Sequence, residues 1–179
     1  MLATFMTLDP SKGYRALRLG RFSKSGNEYF ITFCTEQRQS GLTTETVAVA
    51  IVSEIQQMET EAIWSLRCAV LMPDHIHLLI QLGNELPLGK AIARLKSKSN
   101  IHLKTQKLRW QKGYFEHTMR VHEDRMPVFL YIFLNPYKAD LIPANGIWPW
   151  FICGIEDRVW FSDYLDKGLP EPAWLADLP

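Results

Sequence analysis

The sequence predicts an α+β fold of the ferredoxin-like kind, an antiparallel sheet with helices on one face. Three observations carry that reading. Short runs of β-branched and aromatic residues suit strands, two longer segments repeat apolar residues at helical spacing, and together they alternate in the order β-α-β-β-α-β. With 179 residues, 47% hydrophobic and 22% charged, the chain is large enough for one globular domain with a full core.

The first strand is Tyr29 to Thr35, which follows the turn signal Ser25-Gly26-Asn27. Thr43 or Thr44 can cap a helix running to about Glu61, with Val47, Ile51, Ile55 and Met58 on its inner face. Ile63 to Met72 and His75 to Leu82 form a hairpin across Pro73-Asp74, where proline suits a turn and lacks a ladder donor. Leu88 to about Gln106 is the second helix, turning Ile92, Leu95 and Ser99 or Ile101 inward. Gly113 to Arg120 offers a fourth strand, and Pro127 to Asn135 an extra helix begun by proline and ended before Pro136. These elements define a domain over 1–145. Beyond it, 146–179 reads as an irregular acidic tail whose Trp148, Trp150, Trp160 and Trp174 pack it back on the domain.

Several classes are set aside. No apolar run approaches the roughly 18 residues of a membrane span, and the opening residues lack the form of a signal peptide, so a cytoplasmic protein is expected. Cys34, Cys68 and Cys153 are widely spaced without a CxxC pair and indicate neither a disulfide framework nor a thiolate zinc site. No repeat points to a solenoid.

A net charge of +1 conceals a partition. Between Lys90 and Lys112 stand Arg94, Lys96, Lys98, Lys104, Lys107 and Arg109 with no Asp or Glu. The amino end adds Lys12, Arg15, Arg18, Arg21 and Lys24 against Asp9, whereas the tail is acidic. Such a basic block suits a polyanion, although any one of these lysines is equally at home on a solvated helix face.

Two short motifs carry chemistry. His75 and His77 lie two apart in a strand, so both imidazoles leave one face and can chelate a divalent ion if a third ligand arrives. Taken alone, such a pair is more commonly two ordinary hydrogen-bonded histidines. Tyr131 and Asn135 are four apart on a helix and share a face, although an apolar helix with a terminating Asn is the commoner reading. Combined, they form a unit: a phenol can attack a phosphodiester if the developing charge is offset, and an ion held by His75, His77 and an oxygen such as that of Asn135 would offset it. Tyr114, Tyr137 and Tyr164 are rival nucleophiles.

The motifs Pro73-Asp-His75-Ile-His77-Leu-Leu, Trp110-Gln-Lys-Gly113-Tyr-Phe-Glu-His117 with Arg120, and Tyr131-Ile-x-x-Asn135-Pro-x-Lys-Ala139, after a Gly20-Arg-Phe-Ser opening, span residues 15–145 in order. In them the chain resembles the single-tyrosine transposases of the HUH superfamily, most of all the REP-associated tyrosine transposases. The resemblance implies a nuclease domain that joins Tyr131 to single-stranded DNA as a 5′-phosphotyrosine and frees a 3′-hydroxyl. It also implies His75, His77 and Asn135 as ligands of Mg2+ or Mn2+, a palindromic hairpin as substrate, and a monomer acting in cis. On that reading Arg94, Lys96, Lys98, Lys104, Arg109 and Arg120 are candidates for DNA contact, and Arg15, Arg18 and Arg21 form an arm that reads a groove or guide bases. Asp74 either orients an imidazole or only shapes the turn, and His117 either makes a structural hydrogen bond or meets the scissile strand. The competing reading is a domesticated hairpin-binding regulator without transposition activity; a hydrolase of small phosphoesters ranks last.

Overall fold

The computed structural model describes residues 23–176. Arg15, Arg18 and Arg21 of the expected arm lie outside them. Five strands, β1 (Glu28–Cys34), β2 (Trp64–Leu71), β3 (His75–Leu82), β4 (Phe115–Thr118) and β5 (Phe151–Cys153), form one antiparallel sheet in the order β4-β1-β3-β2-β5. The first four strands, with α1 (Glu45–Thr60) and α2 (Leu88–Thr105), make the expected ferredoxin-like order. No helix among the described residues is long and apolar enough to cross a membrane.

Strand periodicity sets the two faces. On β3, Ile76, Leu78, Ile80 and Leu82 point to one side and join Val47, Ile51, Ile55 and Met58 of α1 and Ile92 and Leu95 of α2 in the larger core. Ser99 also turns inward, accepting the Trp110 indole N–H at 2.9 Å, whereas Ile101 is exposed. Thr44 precedes α1, yet its hydroxyl is spent on the Gly41 carbonyl and caps no helix N–H.

The opposite face is covered as well, which departs from the expectation of helices on one face. Val128, Phe129, Ile132 and Phe133 of α3 (Met126–Lys138) pack there with Phe30, Val70 and Leu79. A sheet apolar on both sides requires a second layer. This helix also outruns the predicted end at Asn135, passing through Pro136 to Lys138. Pro136 and Tyr137 are buried, and the Tyr137 hydroxyl donates to the Gly146 carbonyl at 2.8 Å, contacts that offset the missing N–H near the helix end.

The tail is not irregular. It contributes β5, which pairs with β2, and two helices, α4 (Ile155–Ser162) and α5 (Pro172–Ala176). Phe161 is 1% exposed against Phe129 and Phe133, and the Trp148 indole donates to the Leu71 carbonyl at 3.0 Å. A bulge at Arg67 changes the parity of β2: Leu66 faces the α1–α2 core, while Cys68 and Val70 face α3.

Candidate functional site

Alternation along β3 places His75 and His77 on the α3 face, 9% and 4% exposed. Their Nε2 atoms approach to 3.1 Å. Each ring is held from behind. His75 Nδ1 stands 2.6 Å from Asp74 Oδ1, where the carboxylate accepts its proton, and His77 Nδ1 stands 2.7 Å from the hydroxyl of Thr32, its cross-strand partner on β1. With both Nδ1 atoms occupied, both Nε2 lone pairs can face one point, the arrangement of imidazoles whose orientation is fixed by an outer shell. Burial, with smaller contributions from the charges of His75 and Arg38, lowers the pKa of His77 well below the ordinary value, so its ring is neutral and able to ligate. Asp74 answers two opposed influences: burial raises its pKa, and the bond and charge of His75 with the charge of Arg38 carry it to a net lowering.

Tyr131 comes from α3 across the sheet. Its ring lies 5.1 Å from that of His77 and 5.8 Å from that of Phe30, both edge-on, while Phe30 stacks on His77 at 5.6 Å. Burial raises the phenol pKa, opposed by the nearby Asn135 amide and by the charge of Arg38. The helical spacing of Tyr131 and Asn135 has thus brought a carboxamide near the phenol one turn away. Among the described residues no three His, Cys, Asp or Glu side chains converge to hold a metal ion.

The rival tyrosines are elsewhere. Tyr114 packs on the α1–α2 core, Tyr137 is buried with its hydroxyl on Gly146, and Tyr164 lies exposed in the tail. Tyr29 hydrogen-bonds Lys24. Of the described tyrosines, Tyr131 is the one whose ring is packed on His77.

The profile of the family described as "Transposase IS200 like" matches residues 23–132, more than half of the chain, and includes both histidines and Tyr131. The chain belongs to the IS200-like transposase family. A Haemophilus influenzae protein carrying the name REP-associated tyrosine transposase is 30% identical over 148 residues, 72% of this chain and 80% of that one. A solved structure of a REP-associated tyrosine transposase bound to a REP hairpin superposes with a TM-score of 0.60 at 21% identity, covering 74% of this chain and 79% of that one. It shares the fold.

In this transposase the basic block is not uniformly available. Arg94 donates to Glu54 of α1 at 2.8 Å and to Glu61, the residue that follows α1, and so ties the two helices together. Lys96 donates to the Gln111 carbonyl at 3.0 Å and to that of Gly113, with its ammonium 4.8 Å over the Phe33 ring; burial drives its pKa down to about 8. These two serve the fold. Lys98, Lys104 and Arg109 are exposed, and so is Arg120 after β4. His117 bonds Glu123 at 2.9 Å in the loop before α3.

Sequence reasoning missed three features. Thr32 carried no signal, because its role depends on strand register. A partly buried charge quartet joins Arg67 to Glu28 at 2.9 Å and to Asp157 at 3.3 Å, and joins Arg125, at the start of α3, to Glu28 at 2.6 Å. Among the described acids of the tail, Asp157 is the one that is buried, and it answers Arg67 and Arg125, not the basic helix. Arg38 is the third. It stands beside Asp74, with its Nε 2.8 Å from Oδ2, on a backbone where Gln37 and Arg38 both adopt left-handed φ values, 55° and 56°. Such conformations cost roughly 1–2 kcal/mol per non-glycine residue.

Proposed function

We propose that this transposase cuts single-stranded DNA through Tyr131, forming a 5′-phosphotyrosine, and that its substrate is a palindromic hairpin of the kind named for its structural relative. The observation that carries the reading is the Tyr131 ring packed on His77, with Asn135 one helical turn along α3. In the step, the Tyr131 Oη–P bond forms and the P–O3′ bond breaks. The phenol's proton is given up and the departing 3′-oxygen is protonated, so a hydroxyl is left that can reverse the join. Asn135 orients the phenol. His75 and His77, held by Asp74 and Thr32, keep their Nε2 atoms directed at the same space, and with Asn135 they would hold a divalent ion. When bound, Mg2+ or Mn2+ would neutralise charge on the phosphate; imidazole donors favour manganese by softness.

The packing of Tyr131 on His77 of its own chain supports a monomer acting in cis. The exposed Lys98, Lys104, Arg109 and Arg120 would hold the phosphates. Action on DNA would put the protein in the cytoplasm with the nucleoid.

The test is incubation of the protein with a labelled single-stranded hairpin, taken from palindromes flanking the gene, and Mn2+. A covalent protein–DNA adduct is expected, absent in Tyr131→Phe, while that variant keeps its affinity for the hairpin. No adduct with the unaltered protein, together with intact hairpin binding, would instead support the hairpin-binding regulator.

A further inference from the structure

We propose that Arg38 is a catalytic residue of this transposase, its guanidinium holding a non-bridging oxygen of the scissile phosphate beside His75 and Tyr131. The inference rests on Tyr131 as the nucleophile. Three observations support it.

The first is position. Cys34 shares the sheet face of Thr32 and Phe30, and its Sγ accepts an Arg38 Nη1–H at 2.8 Å, so the guanidinium lies over the face that carries His75 and His77.

The second is availability. Arg38 has five N–H donors. Its Nε side is paired with the Asp74 carboxylate and one Nη1–H goes to Cys34, and no described residue takes the rest. The side chain is 56% exposed, unlike Arg67 at 12%, whose donors are spent inside the fold. A guanidinium anchored on one edge and open on the other is suited to a phosphate oxygen.

The third is a stiff, strained support. Thr35 N–H donates to the Asp74 carbonyl at 2.9 Å, the Thr35 hydroxyl to the Gln39 carbonyl at 2.7 Å, and Gly41 and Leu42 N–H to the Pro73 carbonyl at 2.8 and 2.9 Å. These bonds stitch the loop after β1 to the turn that carries Asp74. Within it, consecutive left-handed Gln37 and Arg38 hold a conformation that side-chain-bearing residues rarely adopt. The strain serves no core packing, since the turn Glu36–Arg38 buries nothing; what it does is set the course of Arg38.

During the attack the phosphate passes through a five-coordinate arrangement as the Tyr131 Oη–P bond forms and the P–O3′ bond breaks. Arg38 keeps all its protons and offsets charge on the equatorial oxygens.

The experiment compares the unaltered protein with Arg38→Gln and Arg38→Lys in single-turnover adduct formation at saturating hairpin. Arg38→Gln should slow the step by about 10²–10³-fold, the scale of one lost oxyanion donor. Hairpin affinity should change less than about threefold, since one of several phosphate contacts is removed. Arg38→Lys should recover part of the rate, having the charge without the fork. To separate contact with phosphate from support of Asp74, the mapped scissile phosphate is replaced by a neutral methylphosphonate. The gap between the unaltered protein and Arg38→Gln should then close if Arg38 meets the phosphate charge. It should persist, overturning the proposal, if Arg38 only positions Asp74 and His75. An Arg38→Gln rate within threefold of the unaltered protein also overturns it while leaving Tyr131 as nucleophile. Loss of the adduct with the unaltered protein overturns both.

Discussion

Replacing Asp157 by Ala should loosen the tail and the start of the tyrosine helix together. The carboxylate is 4% exposed and completes a quartet with Glu28, Arg67 and Arg125 in which two negative charges balance two positive ones. Its loss leaves a net positive charge at a site where Arg67 is 12% exposed, and it removes the acceptor of the Trp160 indole N–H at 3.2 Å. Breaking a buried pair from one side costs about 3–5 kcal/mol. The lower end applies here, because Arg67 keeps Glu28 and Gln81 and Arg125 is 40% exposed. A loss of about 3 kcal/mol in a chain of this size lowers the thermal midpoint by about 6–12 °C. Asp157→Asn, which preserves shape and the acceptor for Trp160, should show a smaller drop. Circular dichroism melts measure both, and hydrogen exchange should show faster opening in the first turn of α3, where Arg125 sits. Midpoints within about 2 °C of the unaltered protein for both variants would refute the reasoning and show that strand pairing by β5 and apolar packing hold the tail without the charge cluster.

The remaining expectations concern the site and the charges. Thr32→Val removes the hydroxyl that orients His77, and Mn2+ affinity, followed by the metal dependence of adduct formation, should fall about 10–100-fold with little change in melting. Lys96 has a folded pKa of about 8 against an ordinary 10.5, so between those values the unfolded chain binds more protons and folding gains stability as pH rises. Relative to Lys96→Met, the unaltered protein should therefore gain stability from pH 8 to 10.5, by at most about 3 kcal/mol, in chemical denaturation at stepped pH; a flat difference would contradict the burial argument. Arg94→Gln should leave the salt dependence of hairpin binding unchanged, since its charge is answered by Glu54 and Glu61, whereas Arg109→Gln should reduce the log–log slope by about 0.7–0.9. Equal slopes for the two variants would show that exposure does not separate DNA contacts from fold contacts.

The sequence by itself determined those features that depend on neighbours along the chain. Period-two alternation placed His75 and His77 on one face, a spacing of four joined Tyr131 to Asn135, and the order of periodic segments foretold the four-stranded core with its two helices. Strand and helix geometry are local, so they can be read from spacing alone. Tertiary structure decided what depends on register and on which surfaces meet. Cross-strand pairing brought Thr32 to His77, a bulge at Arg67 turned β2 so that it could share a charge cluster with Glu28 and Asp157, and the choice of sheet face separated the tyrosine helix from the basic one. It also divided a basic block that looks uniform in sequence, spending Arg94 and Lys96 on the fold while leaving Lys98, Lys104 and Arg109 in solvent. Charge is written in the sequence, but whether a charge is free depends on partners distant in the chain, and folding alone brings those partners together.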